Sequence, residues 1–363
     1  MSSVPLIFYS EPDRIKINIK RLVLYGVLLL IGFGVGLNFT SSNVVPVTAQ
    51  LPVLDDDSQL DRPIVGILSL SYSPEFLLLH QVHIPPSARG IIPSSYVKWL
   101  QSAGAQVIVI PHFWESDAIA DLVSKLSGVL FTGGDYGDDA WNHTTSMIFQ
   151  QALDRNGTDH PLVLWGTCLG FERIIQVASH DSSNAVVAAP LVDESIPVVW
   201  ASSLLTSSPF LKYMGVSSLD AFSSRPIAYN FHNYGVTPGS WAAHSDTLDP
   251  LFDVIGTHKT NDLEFVAMIE GKNGLLVYGI QFHPEKALFE WSPNLHYPHS
   301  EIGVLNNRRI ADFLINKVRH AGGATFLNFQ DESQFAIYNY QTIFTGISTN
   351  GGPIFTETYI IDK

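Results

Sequence analysis

Leu162-Val-Leu-Trp-Gly-Thr-Cys-Leu-Gly-Phe-Glu172, continuing as Arg173-Ile-Ile-Gln-Val-Ala178, decides the fold. The apolar run from Leu162 to Trp165 reads as a strand buried on both faces, and Phe171 to Ala178 reads as a helix. Between them Gly166-Thr-Cys-Leu-Gly170 is a small-residue turn with Cys168 at its apex, the strand-turn-helix placement of a nucleophile. The flanking glycines permit backbone angles and close packing that a side chain would obstruct. The N-terminus of the following helix, with its unpaired N–H groups and positive dipole end, is expected to favour a thiolate over a thiol.

Cys168 is the one cysteine among 363 residues. A lone cysteine behind an apolar strand also fits a small buried hydrophobe. Leu275-Leu-Val-Tyr-Gly-Ile-Gln-Phe-His-Pro-Glu285 tips the balance, because it is a second buried-type strand that ends in a histidine, a proline and an acid. Cys168, His283 and Glu285 together form a complete hydrolytic set.

Outward from these two strands the chain alternates. Ile64-Val-Gly-Ile-Leu68 is a predicted strand, Ser94 to Ala103 a short helix closed by Gly104, Gln106-Val-Ile-Val-Ile110 a strand, Ser116 to Leu126 a helix and Gly128-Val-Leu-Phe-Thr132 a strand. That order predicts an α/β fold, a three-layer sandwich with a mostly parallel central sheet and ligands bound at the carboxyl ends of the strands. Leu263 to Glu270 and Leu275 to Phe282 flank Asn273-Gly274, a hairpin signal. Asn306 to His320 is a predicted amphipathic helix, and the tail after Phe326 ends in a strand-like stretch. Residues 185–262 are rich in Ser and Pro and are read only as loops and short strands around the cleft.

Composition narrows the function classes. With 46% hydrophobic and 15% charged residues the chain is globular, and a formal charge of −14 argues against a nucleic-acid or anionic-membrane surface. Its 13 histidines, if all protonated, would bring that charge to about −1, which suits an acidic lumen below the histidine reference of ~6.5. Arg14, Lys16, Lys20 and Arg21 precede the uncharged run Leu22 to Leu37, so residues 1–49 are expected to be a secretory signal peptide or an uncleaved signal anchor. Residues 50–61 read as a linker, within a polar stretch that begins at Thr40, and 62–363 as one catalytic domain. Sequons at Asn38, Asn142 and Asn156 fit a luminal glycoprotein, and a single cysteine leaves the fold to be held by its core.

Gly166-Thr-Cys-Leu-Gly-Phe-Glu172, with Gly279-Ile-Gln-Phe-His-Pro-Glu-Lys-Ala287 and Glu290-Trp291, resembles the gamma-glutamyl hydrolases of the class I glutamine amidotransferase-like (flavodoxin-like) superfamily. Pro63 to Leu68, Ser95 to Gly104, Gly128 to Gly134, Asn230-Phe-His232 and Tyr359-Ile-Ile-Asp362 extend the likeness over nearly all of residues 62–363. The resemblance implies a lysosomal, vacuolar or secreted thiol hydrolase that cuts gamma-linked glutamate from a small-molecule substrate, typically a folate polyglutamate. It implies no cofactor and no metal. It matches Cys168 to the nucleophile, His283 to the general base, Glu285 to the triad acid, and Glu172 and His232 to the substrate cleft. Asp135-Tyr-Gly-Asp-Asp139 and residues 71–93 depart from the family pattern, which bears on the substrate more than on the reaction.

Chemistry fills in the remaining positions. The backbone N–H groups of Leu169 and Gly134 are candidate oxyanion donors. Gly133 and Tyr96 are candidate substrate contacts, and Glu172, one turn after the nucleophile, is expected to meet the substrate's α-amino nitrogen. His296 and His299 lack a third ligand and make a poor metal site. Two rivals stand beside the hydrolase: an amidotransferase-type glutaminase, and an inactive luminal binding protein of the same fold. Contact with a membrane is expected only through an uncleaved leader, no nucleic-acid partner is expected, and a homodimer is compatible with the sequence.

Overall fold

The computed structural model describes residues 62–72, 85, 87–135, 137–326, 328–346 and 355–363. The expected leader, the linker and the sequon at Asn38 lie outside the described residues. Among the described residues, no helix is long and apolar enough to cross a membrane.

Five apolar segments form the parallel part of the main sheet: β1 (Ile64–Leu68), β3 (Gln106–Ile110), β4 (Gly128–Phe131), β5 (Val163–Thr167) and β11 (Val277–Ile280). Nearly every side chain in them is buried, as expected of strands covered on both faces. The sheet continues antiparallel through β10 (Glu264–Gly271), β9 (Phe252–Lys259) and β7 (Val198–Trp200), giving the order β3-β1-β4-β5-β11-β10-β9-β7. Its first four positions follow the flavodoxin-like 2-1-3-4 winding. β2 (Gly90–Pro93), β12 (Thr342–Phe344) and β13 (Glu357–Ile361) make a small antiparallel sheet, and β6 (Val187–Ile196) pairs with β8 (Ala228–Gly235) as a separate two-stranded arm.

Helices cover both faces of the main sheet. α1 (Ser94–Ser102), α5 (Pro209–Ser224) and α6 (Glu301–Arg319) bury Trp99, Phe210, Phe222 and Phe313 on one side. α2 (Ser116–Ser124), α3 (Asp139–Asp154) and α4 (Leu169–Ala178) bury Ile119, Ile148, Phe149, Phe171 and Ile174 on the other. An aromatic column runs through the first layer, with ring centroids of Trp99 and Trp165 6.0 Å apart, Trp165 and Tyr278 6.0 Å, and Tyr278 and Phe313 5.1 Å. Each such ring contributes about 2 kcal/mol of burial, so β5 and β11, which carry Trp165 and Tyr278, are held at the centre of the core. The edge strand β3 is capped rather than bare, since Val109 N–H donates to Phe335 carbonyl at 2.9 Å.

The hairpin signal corresponds to a turn in which Asn273 (φ 53°) and Gly274 (φ 82°) both take left-handed angles, with β10 and β11 antiparallel on either side. Two expectations need correction. Residues 185–262 are not only loops and short strands. They hold the ten-residue β6, the eight-residue β8 and β9, and the sixteen-residue α5. β6 carries Pro190 and two register shifts, and α5 breaks at Gly215 (φ 70°, ψ 164°), so neither shows an uninterrupted period. α6 begins at Glu301, ahead of the predicted Asn306, because Ser300 caps it by accepting from Gly303 N–H at 3.1 Å.

Candidate active site

β4, β5 and β11 are neighbours in the sheet, and the turns after their carboxyl ends carry Gly133-Gly134, Cys168 and His283. Register places them together: Phe131 pairs with Gly166 and Thr167 pairs with Ile280. Cys168 N–H donates to Ile280 carbonyl at 2.8 Å, and the residue sits at φ 49°, ψ −110° as α4 begins. That left-handed angle in a non-glycine residue is strain of the order of 1–3 kcal/mol, held by the packed strand and helix on either side. Gly166 lies under Gly170 so closely that a methyl group on it would stand 2.6 Å from the Gly170 carbonyl oxygen.

His283 is oriented from three directions. Nδ1 is 2.8 Å from Glu285 Oε1 and 3.3 Å from the Tyr96 hydroxyl, and the backbone N–H donates to Tyr229 carbonyl at 2.8 Å. With Nδ1–H given to the carboxylate, Nε2 is the basic nitrogen. A methyl on Gly133 would meet His283 Cε1 at 2.7 Å and Cys168 Cβ at 3.2 Å at once, so imidazole and thiol flank the same glycine. Cys168 Sγ lies 3.9 Å from the Phe231 carbonyl oxygen.

The surroundings of Cys168 work against the expected resting thiolate. Burial pushes the Cys168 thiol well above its ordinary range, Glu172 and Glu285 push the same way, and the Leu169 N–H and the Lys286 ammonium only partly oppose them. Burial also lowers His283, against the opposing pull of Glu285 and a hydrogen bond to the Phe231 carbonyl. Both directions favour a neutral thiol and a neutral imidazole at rest.

Both groups face a cavity of about 370 Å³, whose wall includes Gly134, Asp135, Leu169, Glu172, His232 and Lys286. The two expected oxyanion donors, Leu169 and Gly134, are thus both at the cavity. Glu172 is buried, accepts from Gln281 Nε2 at 2.9 Å, and is pushed up to about 7, chiefly by burial. His232 is buried with its ring edge-on to Phe265 at 5.0 Å, and burial lowers it to about 3, so its imidazole stays neutral. Tyr96 and Gly133, expected as substrate contacts, are both buried beside His283. Tyr96 is fully buried, and its hydroxyl accepts from Gly133 N–H at 2.8 Å. It braces the turn and the imidazole from below.

Several wall residues had no role in the sequence reading. Lys286 directly follows Glu285, and its position in the motif was the available signal. Its Nζ lies 4.8 Å from the Phe355 ring centroid. Phe231, inside the Asn230-Phe-His232 motif, also lines the cavity, as do Phe355, Val192 and Tyr234, which nothing local in the sequence marks. His296 is spent on Asp193, and His299 stacks on Trp291 at 4.0 Å. Among the described residues, no group of three or more His, Cys, Asp or Glu side chains could hold a metal ion.

Residues 92–297 match the family profile described as glutamine amidotransferase class-I, a span that includes every site residue expected from the sequence. The chain is 27% identical over 306 residues to a gamma-glutamyl hydrolase of Mus musculus, covering 83% of this chain and 90% of the relative. It is 26% identical over 292 residues to gamma-glutamyl hydrolase B of Dictyostelium discoideum, covering 78% and 80%. It is also 27% identical over 303 residues to gamma-glutamyl hydrolase of Homo sapiens, covering 83% and 90%.

Proposed function

The chain belongs to the class-I glutamine amidotransferase family, and we propose that within it the protein is a thiol hydrolase of gamma-glutamyl amide bonds, acting on folate poly-gamma-glutamates. The observation that carries this reading is the placement of Cys168 and His283–Glu285 on either side of Gly133 at one cavity wall. The gamma-glutamyl hydrolases at 26–27% identity over most of the chain support the bond type.

The reaction runs in two halves. His283 Nε2 takes the proton from Cys168 Sγ as the sulfur attacks the gamma-carbonyl carbon. The N–H groups of Leu169 and Gly134 receive the oxyanion, each worth ~3 kcal/mol in the transition state. The C–N bond then breaks, the leaving amine takes the proton from His283, and a thioester remains. Water, deprotonated by His283, attacks the thioester, the C–S bond breaks, and the gamma-carboxylate leaves as the thiol regains its proton. Glu285 holds Nδ1 throughout. Because burial keeps His283 neutral below its ordinary ~6.5, the base stays competent in mildly acidic solution.

Residues 62–363 act as the catalytic domain, and we place it in the lumen of the lysosome or vacuole or outside the cell, on the strength of the basic-then-apolar N-terminal segment. Of the two described sequons, Asn156 is exposed in a turn, whereas Asn142 lies partly buried in α3 with its amide nitrogen 3.2 Å from Gly137 carbonyl oxygen. Asn156 is therefore the better acceptor for a glycan.

The test is mass spectrometry of the products formed from folate pentaglutamate between pH ~4 and 7 by the wild type and by Cys168→Ala. Glutamate or glutamyl peptides released by the wild type alone are the expected result. Intact folate substrate beside free hydrolysis of glutamine would favour the glutaminase, and no turnover of any gamma-glutamyl amide would favour the inactive binding protein.

A further inference from the structure

Asp193 does not itself line the cavity, yet three hydrogen bonds converge on it. It sits on β6 at φ 59°, where the β6–β8 register shifts between Val192 and Glu194. Its carboxylate accepts from the Tyr229 hydroxyl at 2.9 Å, from His296 N–H at 2.8 Å, and pairs with His296 Nδ1 at 2.7 Å. Tyr229 belongs to β8 and is fully buried, with its ring against Tyr297 at 4.9 Å. His296 belongs to the segment that leads on from Lys286–Phe289, directly after the base.

β8 reaches the reacting pair through its backbone. The Tyr229 carbonyl accepts His283 N–H at 2.8 Å, and two residues later the Phe231 carbonyl faces Cys168 Sγ at 3.9 Å. A strand of a two-stranded arm is paired along one edge only, so a side-chain tether adds to the backbone bonds that set its position. We propose that Asp193 and Tyr229 are positioning residues: the Asp193 carboxylate, by gripping the Tyr229 hydroxyl and His296, sets β8 so that the Tyr229 and Phe231 carbonyls hold His283 and Cys168 in reacting alignment. This rests on the reading of Cys168 and His283 as nucleophile and base.

The single cysteine supplies a readout that needs no substrate, because iodoacetamide has one thiol to label. Tyr229→Phe removes one oxygen and is expected to slow Cys168 alkylation ~10-fold, toward the rate of His283→Ala, since small misplacements of aligned groups carry penalties of that order or larger. Asp193→Asn keeps an acceptor oxygen and tolerates a left-handed backbone, so it is expected to stay near the wild-type rate. Asp193→Ala is expected to fall with Tyr229→Phe, and circular dichroism checks that each variant is folded. With a gamma-glutamyl substrate Tyr229→Phe and Asp193→Ala are expected to lose kcat about tenfold at unchanged KM. Wild-type alkylation rates and kcat in folded Tyr229→Phe and Asp193→Ala would overturn the proposal. If the wild type shows His283-dependent alkylation but hydrolyses no gamma-glutamyl amide, the functional reading fails while slowed alkylation in Tyr229→Phe still upholds the clamp.

Discussion

Cys168 and His283 stand at the ends of β5 and β11, adjacent strands locked in register and buried on both faces, whereas His232, Val192 and Phe355 reach the same cavity from the β6–β8 arm and from the chain's tail. The floor is positioned by packing. Trp165 and Tyr278 hold its strands in the core, and Gly166, Gly170 and Gly133 allow the turns to close on one another. The walls are positioned by polar clamps and single rings, such as the Asp193 carboxylate and Phe355 against Lys286. A floor built this way tolerates little change at the reacting atoms, while the walls can vary and select what enters.

Substitutions test that contrast in order of size. His283→Ala removes the base at the floor and is expected to lower kcat by at least ~10³-fold, measured at substrate saturation on the folded variant. A loss under tenfold would mean that the floor does not carry the chemistry.

Glu172 gives the next effect, on stability. Its carboxyl is pushed up to about 7 from an ordinary 4.5, so the folded protein holds the proton more tightly than the unfolded chain does. That contribution is fully present below the unfolded value, declines as pH rises through about 7, and is gone above it. Glu172→Gln removes the titration, so its stability relative to wild type is expected to rise by about 3 kcal/mol between mildly acidic and alkaline solution. Urea midpoints across that range check this, and parallel curves for the two proteins would refute it.

Gly133→Ala puts a methyl 2.7 Å from His283 Cε1 and from the Tyr96 hydroxyl, so one of them must shift. The expected cost is about 10²-fold in kcat with KM little changed, read from steady-state kinetics. Phe355→Ala strips a wall ring from beside Lys286. It is expected to raise KM by up to ~10-fold and to leave kcat nearly intact, since the loss is in binding rather than in chemistry. Should Phe355→Ala instead lower kcat as much as Gly133→Ala does, the division between floor and walls would dissolve.

The same division separates what could be read early from what could not. β1, β3, β4 and β5 each announce themselves as short apolar runs, and Cys168, Gly134 and His283 follow three such runs directly, so local pattern and motif spacing place them at one sheet edge. Tyr96, on the early helix, and Gly133, in the turn after the third strand, are expected in the cleft, and only the fold shows that the Tyr96 hydroxyl accepts the Gly133 N–H. β6 and β8 read only as part of a region of loops and short strands because neither has a clean alternation. Each is a strand by virtue of pairing with the other across α5, with a bulge at Asp193 that breaks the period.

The sequence by itself determined the alternating strand-and-helix order, the elbow that presents Cys168, and the His283-Pro284-Glu285 ending, because these depend on apolar period, glycine placement and neighbours within a few residues. Tertiary structure alone decided the desolvation around Cys168 and His283, the membership of Phe355 in the cavity wall, and the grip of Asp193 on β8. The physical reason is desolvation and distance. Burial around Cys168 outweighs the helix N-terminus that would favour a thiolate, and wall and clamp join residues far apart in the chain, which only the folded sheet brings within contact.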